Sequence, residues 1–410
     1  MQTIAYNKKK HFKDCVKIWQ DVGWLKSGQE KLAEISFSAD DALVCEQNDT
    51  ALAFGLTNFG SYYHKNHKTK LPFCAISAIT VALHGRKFGF AGILTSELLA
   101  RAAENGKAFA GLGMFEQGFY NRFGFSNYPY TNSVKFRPSD LLVKGNFNSV
   151  PVRLTPKEYT RIHANRIHCN HPHGSIDLPE KSTQEQLAIN KQTFVMGFQN
   201  SKGELTHHYA VRSISGEHGP MRVMWTSFNN ASQFNDILLS LKTFSDQVDI
   251  IFMPEPVGIQ FQSLLKKPIA ESRRSNQNNS RGTGINTIAW LQGRILNLHS
   301  CINTMKCNYE IKFNLKLTDP IEKYLDSSFT WRGCAGEYTI NLSEQSSVKD
   351  GFTDNLPLME CSINTFSKLW SGSSKASKLP YTDAINAPKQ LLVNLDEVIN
   401  LPLPSYDWEL

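Results

Sequence analysis

The chain has 410 residues, enough for two to three domains of ordinary size. Apolar residues make up 41% and charged residues 20%, with seven Trp, 13 Tyr and 25 Phe, which excludes global disorder and fibrous repeats. The formal charge of +7, with both signs interspersed, suits an anionic ligand but falls short of the basic surface expected of a nucleic-acid binder.

No signal peptide is readable before residue 25, and the longest nearly apolar run, 72–83, is too short for a membrane span of ~20 residues. Eight scattered cysteines without a Cys-x-x-Cys pair fit a reducing cytoplasm. A soluble, cytoplasmic protein is the expectation.

Phe12, Val16, Trp19 and Val22 repeat at helical spacing, and 42–45 and 51–56 read as short strands. A basic connection follows over 62–71, solvated or close to bound phosphates, and 73–83 reads as a buried strand. From Phe90 a helix carries Phe90, Leu94, Leu98 and Ala102 on one stripe and stops at Gly106, and 108–112 is another buried strand. The second region opens at Val150, with Thr155-Pro156-Lys157-Glu158 in the form of a capping box. Strands at 209–214, 221–226 and 248–253 and a helix at 231–245 repeat the first region loosely, without a glycine turn. Residues 271–284 read as a surface loop. The third region begins with a strand at 290–298. Tyr309, Ile311, Phe313, Leu315 and Leu317 then alternate with Glu310, Lys312, Asn314 and Lys316, one face buried and the other wet. Strands at 334–342 and 359–363 and helices at 364–370 and within 385–393 complete an α+β unit.

Arg86-Lys87-Phe88-Gly89-Phe90-Ala91-Gly92 lies between a buried strand and a long helix. A helix opening after a small-residue turn presents free N–H groups and the positive end of its dipole, which together hold a pyrophosphate. Gly89 and Ala91 would let phosphates approach, and Arg86 and Lys87 would add charge. The same segment also reads as an ordinary turn. No Gly-Lys-Ser/Thr follows, so a Walker-type loop is excluded.

The second signal is Phe115-Glu116-Gln117-Gly118-Phe119-Tyr120-Asn121-Arg122-Phe123-Gly124-Phe125. With the Arg-x-x-Gly turn and a further Gly seventeen positions on, this order resembles the Eis-like (enhanced intracellular survival) acetyltransferases of the Gcn5-related N-acetyltransferase (GNAT) family. The resemblance is strong over 79–125 and architectural beyond Val150. It implies a catalytic GNAT domain at 1–148, a degenerate second GNAT-like domain at 149–285 and a sterol-carrier-protein-like (SCP2-like) α+β domain at 286–410. Trp290-Leu291-Gln292-Gly293-Arg294-Ile295-Leu296 and Phe366-Ser367-Lys368-Leu369-Trp370-Ser371-Gly372 look similar to the family's strand and helix in that third domain.

Carried over residue by residue, the resemblance gives Ile79, Thr80 and Val81 to the pantetheine arm of acetyl-CoA. The run Arg86, Lys87, Phe88, Gly89, Phe90, Ala91 and Gly92 goes to its pyrophosphate, and Phe115 and Glu116 flank the thiol end. Tyr120 becomes the general acid, and the α-carboxylate of Leu410, at the end of Pro404-Ser405-Tyr406-Asp407-Trp408-Glu409-Leu410, the general base. The chain departs from the family at Leu83 and Phe88, where proline and a further arginine are usual. The implied activity is direct acetyl transfer to a primary amine, of a small molecule or a lysine, through a tetrahedral intermediate, without metal and in a homo-oligomer. A CoA-binding sensor without turnover and a lipid carrier working through the third region are the alternatives.

Structural readings stand beside these. Tyr120 serves equally as a core tyrosine, Glu116 as the residue that orders the turn, and 309–317 as ordinary core or a lipid tunnel. Residues 73–83 hold no acid, which leaves Asp40, Asp41, Glu116 and Glu409 as other candidate bases. His168-Cys169-Asn170-His171-Pro172-His173 offers zinc-type ligands at a spacing that suits no standard pair.

Overall fold

A computed structural model describes residues 2–67, 69–169, 171–214, 216–267, 283–406 and 408–410. Residues 271–282, most of the expected surface loop, lie outside the described residues. The chain divides into two compact units, one of Met1–Pro129, Pro172–Pro179 and Trp290–Leu410, the other of Tyr130–His171 and Glu180–Ala289.

The first unit begins with strand β1 (Gln2–Ala5) and helix α1 (Lys8–Asp21), whose first turn is closed by the Asn7 side chain. Helix α2 (Glu30–Ser36) and strands β2 (Asp41–Gln47), β3 (Thr50–Tyr62) and β4 (Leu71–Val81) follow. Helix α3 (Phe90–Glu104) leads to strand β5 (Phe109–Gly113), the short helix α4 (Gln117–Asn121) and strand β6 (Ser126–Asn127). Gly106, with φ +74°, ends α3 as its spacing predicts, because the left-handed region costs a glycine little. The expected strand end at Leu83 is instead a turn, Leu83–Gly85 being a 3₁₀ segment with Leu83 exposed.

These strands lie in the order β1, β2, β3, β4, β5, then the strand Leu291–Ile295, then β6. Leu291 pairs with Gly113 and Ile295 with Phe109, while Gly293 pairs with Ser126. Leu291–Ile295 thus completes the first sheet, and Thr131–Phe136 belongs to the second. Hydrophobic pattern shows that a strand is buried but not which open edge it joins, so this exchange leaves no trace in periodicity.

The second unit has a seven-stranded sheet ordered Gly284–Ile288, Thr131–Phe136, Ile251–Pro254, Met221–Ser227, Leu205–Ile214, Phe194–Gln199, Val150–Leu154. The Thr155–Glu158 capping box forms as its residues predict and precedes helix Tyr159–His168. Phe136, Tyr209, Ile237, Leu241 and Phe261 fill the core.

The remainder of the first unit holds a five-stranded sheet ordered Ser347–Asp350, Gly336–Leu342, Ile311–Thr318, Leu358–Ser362, Ile385–Asn386, with helices Ile363–Trp370 and Lys389–Val398. Phe313, Leu315 and Leu317 are buried as the alternation predicts, but Tyr309 is exposed and Asn314 is not on a wet face. Asn314 is buried because Thr353 closes over it, its amide donating to Thr353 O at 2.8 Å and accepting from Thr353 N at 3.0 Å. Among the described residues no helix is long and apolar enough to cross a membrane.

Candidate active site

β4 and β5 run parallel and pair only from Phe73 with Phe109 to Ile76 with Leu112. Beyond that point β4 breaks register against β3, where Phe54 faces Thr80 but Leu56 faces Ser77. Ala78 absorbs the extra residue at φ +58°, a conformation an L side chain adopts only when its surroundings enforce it. The bulge turns the end of β4 away from β5 and leaves one edge of Ile79, Thr80 and Val81 outside the ladder.

A cleft of ≈ 650 Å³ opens there, lined by Ile79, Thr80, Val81, Gly85, Arg86, Lys87, Gly89, Phe90, Ala91, Gly92 and Phe115, together with Val22, Trp24, Phe119 and Arg122. The N-terminus of α3 faces it without any side-chain cap. Gly92 N and Ile93 N bond back to Gly89 O at 2.9 and 3.1 Å, so the helix has closed its own ladder by then, and the N–H groups ahead of Gly92 are the orphan donors of its first turn. Gly89 has φ +85° and Lys87, two positions earlier, +70°. A Cβ at Gly89 would meet no atom within 4 Å, so glycine is required here by backbone conformation and not by crowding within the protein.

Phe115 is 83% exposed and stacks on Trp24, the ring centroids 5.8 Å apart and the planes at 13°. Arg122 lies over the Phe119 ring at 4.2 Å and brings a third cation to the cleft beside Arg86 and Lys87. Sequence reasoning missed Trp24 and Arg122. Arg122 stood inside the aromatic motif, and its charge was the available signal.

Phe88, Glu116, Tyr120 and Leu410 do not line this cleft. Phe88 points outward, 59% exposed, and contributes its backbone alone to the turn. Glu116 caps α4, accepting from Gly118 N at 2.9 Å and from Phe119 N. Its carboxylate is thus occupied in ordering the turn. Tyr120 is buried among Phe119, Phe123 and Phe125, and burial pushes its hydroxyl up to about 12, so it keeps its proton throughout the neutral range. No described residue hydrogen-bonds that hydroxyl.

The tail of the chain is packed, not frayed. Ser405 N donates to His173 O at 3.1 Å, and the Tyr406 ring sits against Tyr128, Phe73 and Tyr62. Trp408 is buried, and Leu410 reaches the end of β5, where a Cβ on Gly113 would stand 2.8 Å from its main-chain oxygen. Of the other acids considered, Asp41 is held bidentately by Arg101 at 2.6 and 3.0 Å, and Asp40 accepts from Phe59 N at 2.7 Å. No described residue of the basic connection lines the cleft, and Lys70 pairs with Asp177 at 2.9 Å. Among the described residues no group of three or more His, Cys, Asp or Glu is placed to hold a metal ion. His171 and His173 instead bond the main-chain oxygens of Ile167 and Ser371 at 2.9 and 2.8 Å.

Residues 3–127 match the family model described as acetyltransferase (GNAT) domain. Among curated proteins nothing matches. Solved structures similar to the chain include a conserved protein of unknown function from Enterococcus faecalis, described as a probable N-acyltransferase, at 12% identity and TM-score 0.81, covering 100% of this chain and 99% of that one. A GCN5-related N-acetyltransferase from Anabaena variabilis is similar at 11% identity and TM-score 0.81, and Eis1 from Mycobacterium abscessus at 13% and 0.73. Both cover 100% of this chain and of their own. At these identities the likeness is one of fold: the chain has the mixed α/β, GNAT-like fold, with the cleft where β4 and β5 part.

Proposed function

We propose that the protein transfers an acetyl group from acetyl-CoA directly to a primary amine, of a small molecule or a lysine. The observation that carries this reading is the uncapped N-terminus of α3 opening on the cleft beside the splayed end of β4, with Arg86, Lys87 and Arg122 around it. Free N–H groups, the helix dipole and three cations suit a pyrophosphate, and the unpaired strand edge at 79–81 suits the amides of a pantetheine arm. The residues present fit the cofactor that the fold implies.

In the proposed chemistry the amine nitrogen attacks the acetyl carbonyl carbon to give a tetrahedral intermediate, whose collapse re-forms the carbonyl and breaks the carbon–sulfur bond. The Leu410 carboxylate takes the proton that leaves the amine, and Tyr120 gives its proton to the departing sulfur. The strand edge at 79–81 holds the acyl group in line and polarises its carbonyl. The packed tail and the occupied carboxylates of Asp40, Asp41 and Glu116 favour Leu410 for the first role, and the hydroxyl of Tyr120, which bonds to no described residue, favours it for the second.

The second unit is read as degenerate. Its helix Ala231–Thr243 follows strand Met221–Ser227 as α3 follows β4, but the Asn230 side chain accepts from Gln233 N at 3.0 Å and fills the place that α3 leaves to a ligand. One acetyl-CoA per chain is the expected stoichiometry. The five-stranded sheet supports the SCP2-like reading of the C-terminal region, and the three-domain division 1–148, 149–285, 286–410 belongs to that reading. A cytoplasmic setting rests on the scattered cysteines of the sequence, and a homo-oligomer on the sequence resemblance.

The test is to incubate the protein with acetyl-CoA and a panel of amines and follow thiol release. Amine-dependent release supports transfer. Binding of acetyl-CoA without release would leave a sensor, and no binding would remove the site.

A further inference from the structure

Helix α4 has only five residues, too few for its own hydrogen bonds to fix its direction, so contacts from elsewhere must hold it. Its N-terminal end is closed internally by Glu116. Its C-terminal end is held from a distant part of the sequence. Asn364 Nδ2 donates to Asn121 O at 2.8 Å and to Phe125 O at 2.6 Å. Arg294 Nη1 donates to Phe123 O. The Gln292 amide lies 2.7 Å from the Asn121 amide and donates to Asn127 Oδ1 at 2.6 Å. Main-chain oxygens of the turn that follows Tyr120 are thus bound by side chains that arrive some 170 to 240 positions later in the chain.

This bracing is built at a cost that packing alone does not require. Gln292 and Arg294 are both 0% exposed. Arg294 Nη2 donates to Asp319 Oδ2 at 2.7 Å, and Asp319 in turn accepts from Cys334 N at 2.9 Å and Ile321 N at 3.1 Å. A buried ion pair gains little stability over apolar residues of the same volume, so its retention calls for another reason. Gly124, at φ +85°, lets the guanidinium approach: a Cβ there would stand 2.6 Å from Arg294 Nη1.

We infer that Asn364, Gln292 and Arg294 are positioning residues which set the orientation of α4 and through it the Tyr120 hydroxyl. The inference rests on the proposed role of Tyr120 as proton donor. Asn121 is its immediate neighbour and is held through both its main-chain oxygen and its amide. A rotation of α4 moves the hydroxyl with it, and displacement of a catalytic group by about 1 Å is worth on the order of 100-fold in rate.

The experiment is a double-mutant cycle in the full chain, with Asn364→Ala, Tyr120→Phe and the pair, reading kcat and the KM for acetyl-CoA. Asn364→Ala removes two hydrogen bonds without unpairing a buried charge, which makes it preferable to Arg294→Met. The expected result is a fall in kcat of roughly 10- to 100-fold with KM within about threefold, and no further fall when Asn364→Ala is added to Tyr120→Phe. Gln292→Leu in the same cycle should behave alike. Equal losses from Asn364→Ala in both backgrounds, or an effect confined to KM or thermal stability, would overturn the positioning role and leave Tyr120 as donor. Unchanged kcat in Tyr120→Phe would overturn the donor reading and this inference with it. A kcat restored in Asn364→Gln, which keeps an amide donor at this position, would further support positioning.

Discussion

The main-chain oxygen of Leu410 and the α-carbon of Gly113 are so close that a methyl group on Gly113 would come within 2.8 Å of that oxygen. Trp290 lies equally near, its Cζ3 also 2.8 Å from the same point. Real Cβ contacts do not occur at such a distance, so the tail must shift if Gly113 gains a side chain. Gly113→Ala is therefore expected to lower kcat about tenfold or more while acetyl-CoA affinity stays within threefold, because the pyrophosphate turn is on another element. Appending a few residues after Leu410 removes the carboxylate itself, and the loss should reach ~10² to 10⁴ in rate. Steady-state turnover of the extended variant settles the matter: full activity there would transfer the base role to another group.

Gly89 separates two effects that one substitution would confuse. Gly89→Ala meets open space but retains φ +85°, so it should cost about 1 to 2 kcal/mol of stability through conformation alone. Gly89→Glu adds the same strain plus a negative charge where the pyrophosphate is proposed to sit. Calorimetry should show acetyl-CoA affinity weakened at least tenfold more by Glu than by Ala. Equal affinities would move the phosphate site away from α3.

Tyr120→Phe keeps the ring in its aromatic cluster and removes a hydroxyl that bonds to no described residue. Stability should change by less than about 1 kcal/mol, since no hydrogen bond is lost. Turnover should fall ~10²-fold or more if the hydroxyl supplies the proton to sulfur. Thermal unfolding and kinetics on one preparation distinguish a donor from a packing residue.

Acid should loosen the first unit through three packed imidazoles. The His64 and His67 rings are 4.5 Å apart and His64 and His173 4.9 Å. His64 Nε2 and His173 Nε2 donate to Trp370 O and Ser371 O, while their Nδ1 atoms accept from Asn66 N and Lys65 N. Both rings are neutral in this arrangement. Burial holds His67 and His173 down to about 4 and His64 well below its ordinary 6.5. Above pH 6.5 neither folded nor unfolded chain carries these protons. Between 6.5 and about 4 the unfolded chain takes them and the folded chain does not, so stability falls with falling pH, each pKa unit being worth about 1.4 kcal/mol. Denaturant midpoints at pH 7, 6 and 5 should decline, and His67→Asn should flatten the slope. A level profile over that interval would show that the cluster opens without cost.

Several elements were legible because local chemistry alone decides them. Helix α1, the stripe and glycine stop of α3, and the Thr155 capping box follow from spacing and caps. The turn at 86–92 was legible as a helix start with orphan N–H groups, and in the structure all of its residues but Phe88 line the cleft. Leu291–Ile295 shows where such reading stops. All five residues are buried, yet Gln292 and Arg294 carry polar heads that a binary pattern assigns to solvent. Their burial depends on acceptors at Phe123, Asn127 and Asp319 that only the folded chain assembles. The bulge at Ala78 was equally silent, since alanine has no preference for positive φ and the conformation is imposed by register on both sides. Trp24 lines the cleft and stacks on Phe115 from 91 positions away, a pairing that spacing does not show.

The place of Leu291–Ile295 between β5 and β6 also fixes a timetable for synthesis. β5 ends at Gly113, and the strand that covers its free edge leaves the ribosome about 180 residues later. At roughly 5 to 20 residues per second that edge waits on the order of 10 to 40 seconds for its partner. During that interval Phe109 to Gly113 presents unpaired main-chain groups flanked by apolar side chains, the arrangement that invites strand addition from another nascent chain. A messenger cut after residue 148 never supplies the missing strand, so its product carries an open edge for as long as it exists.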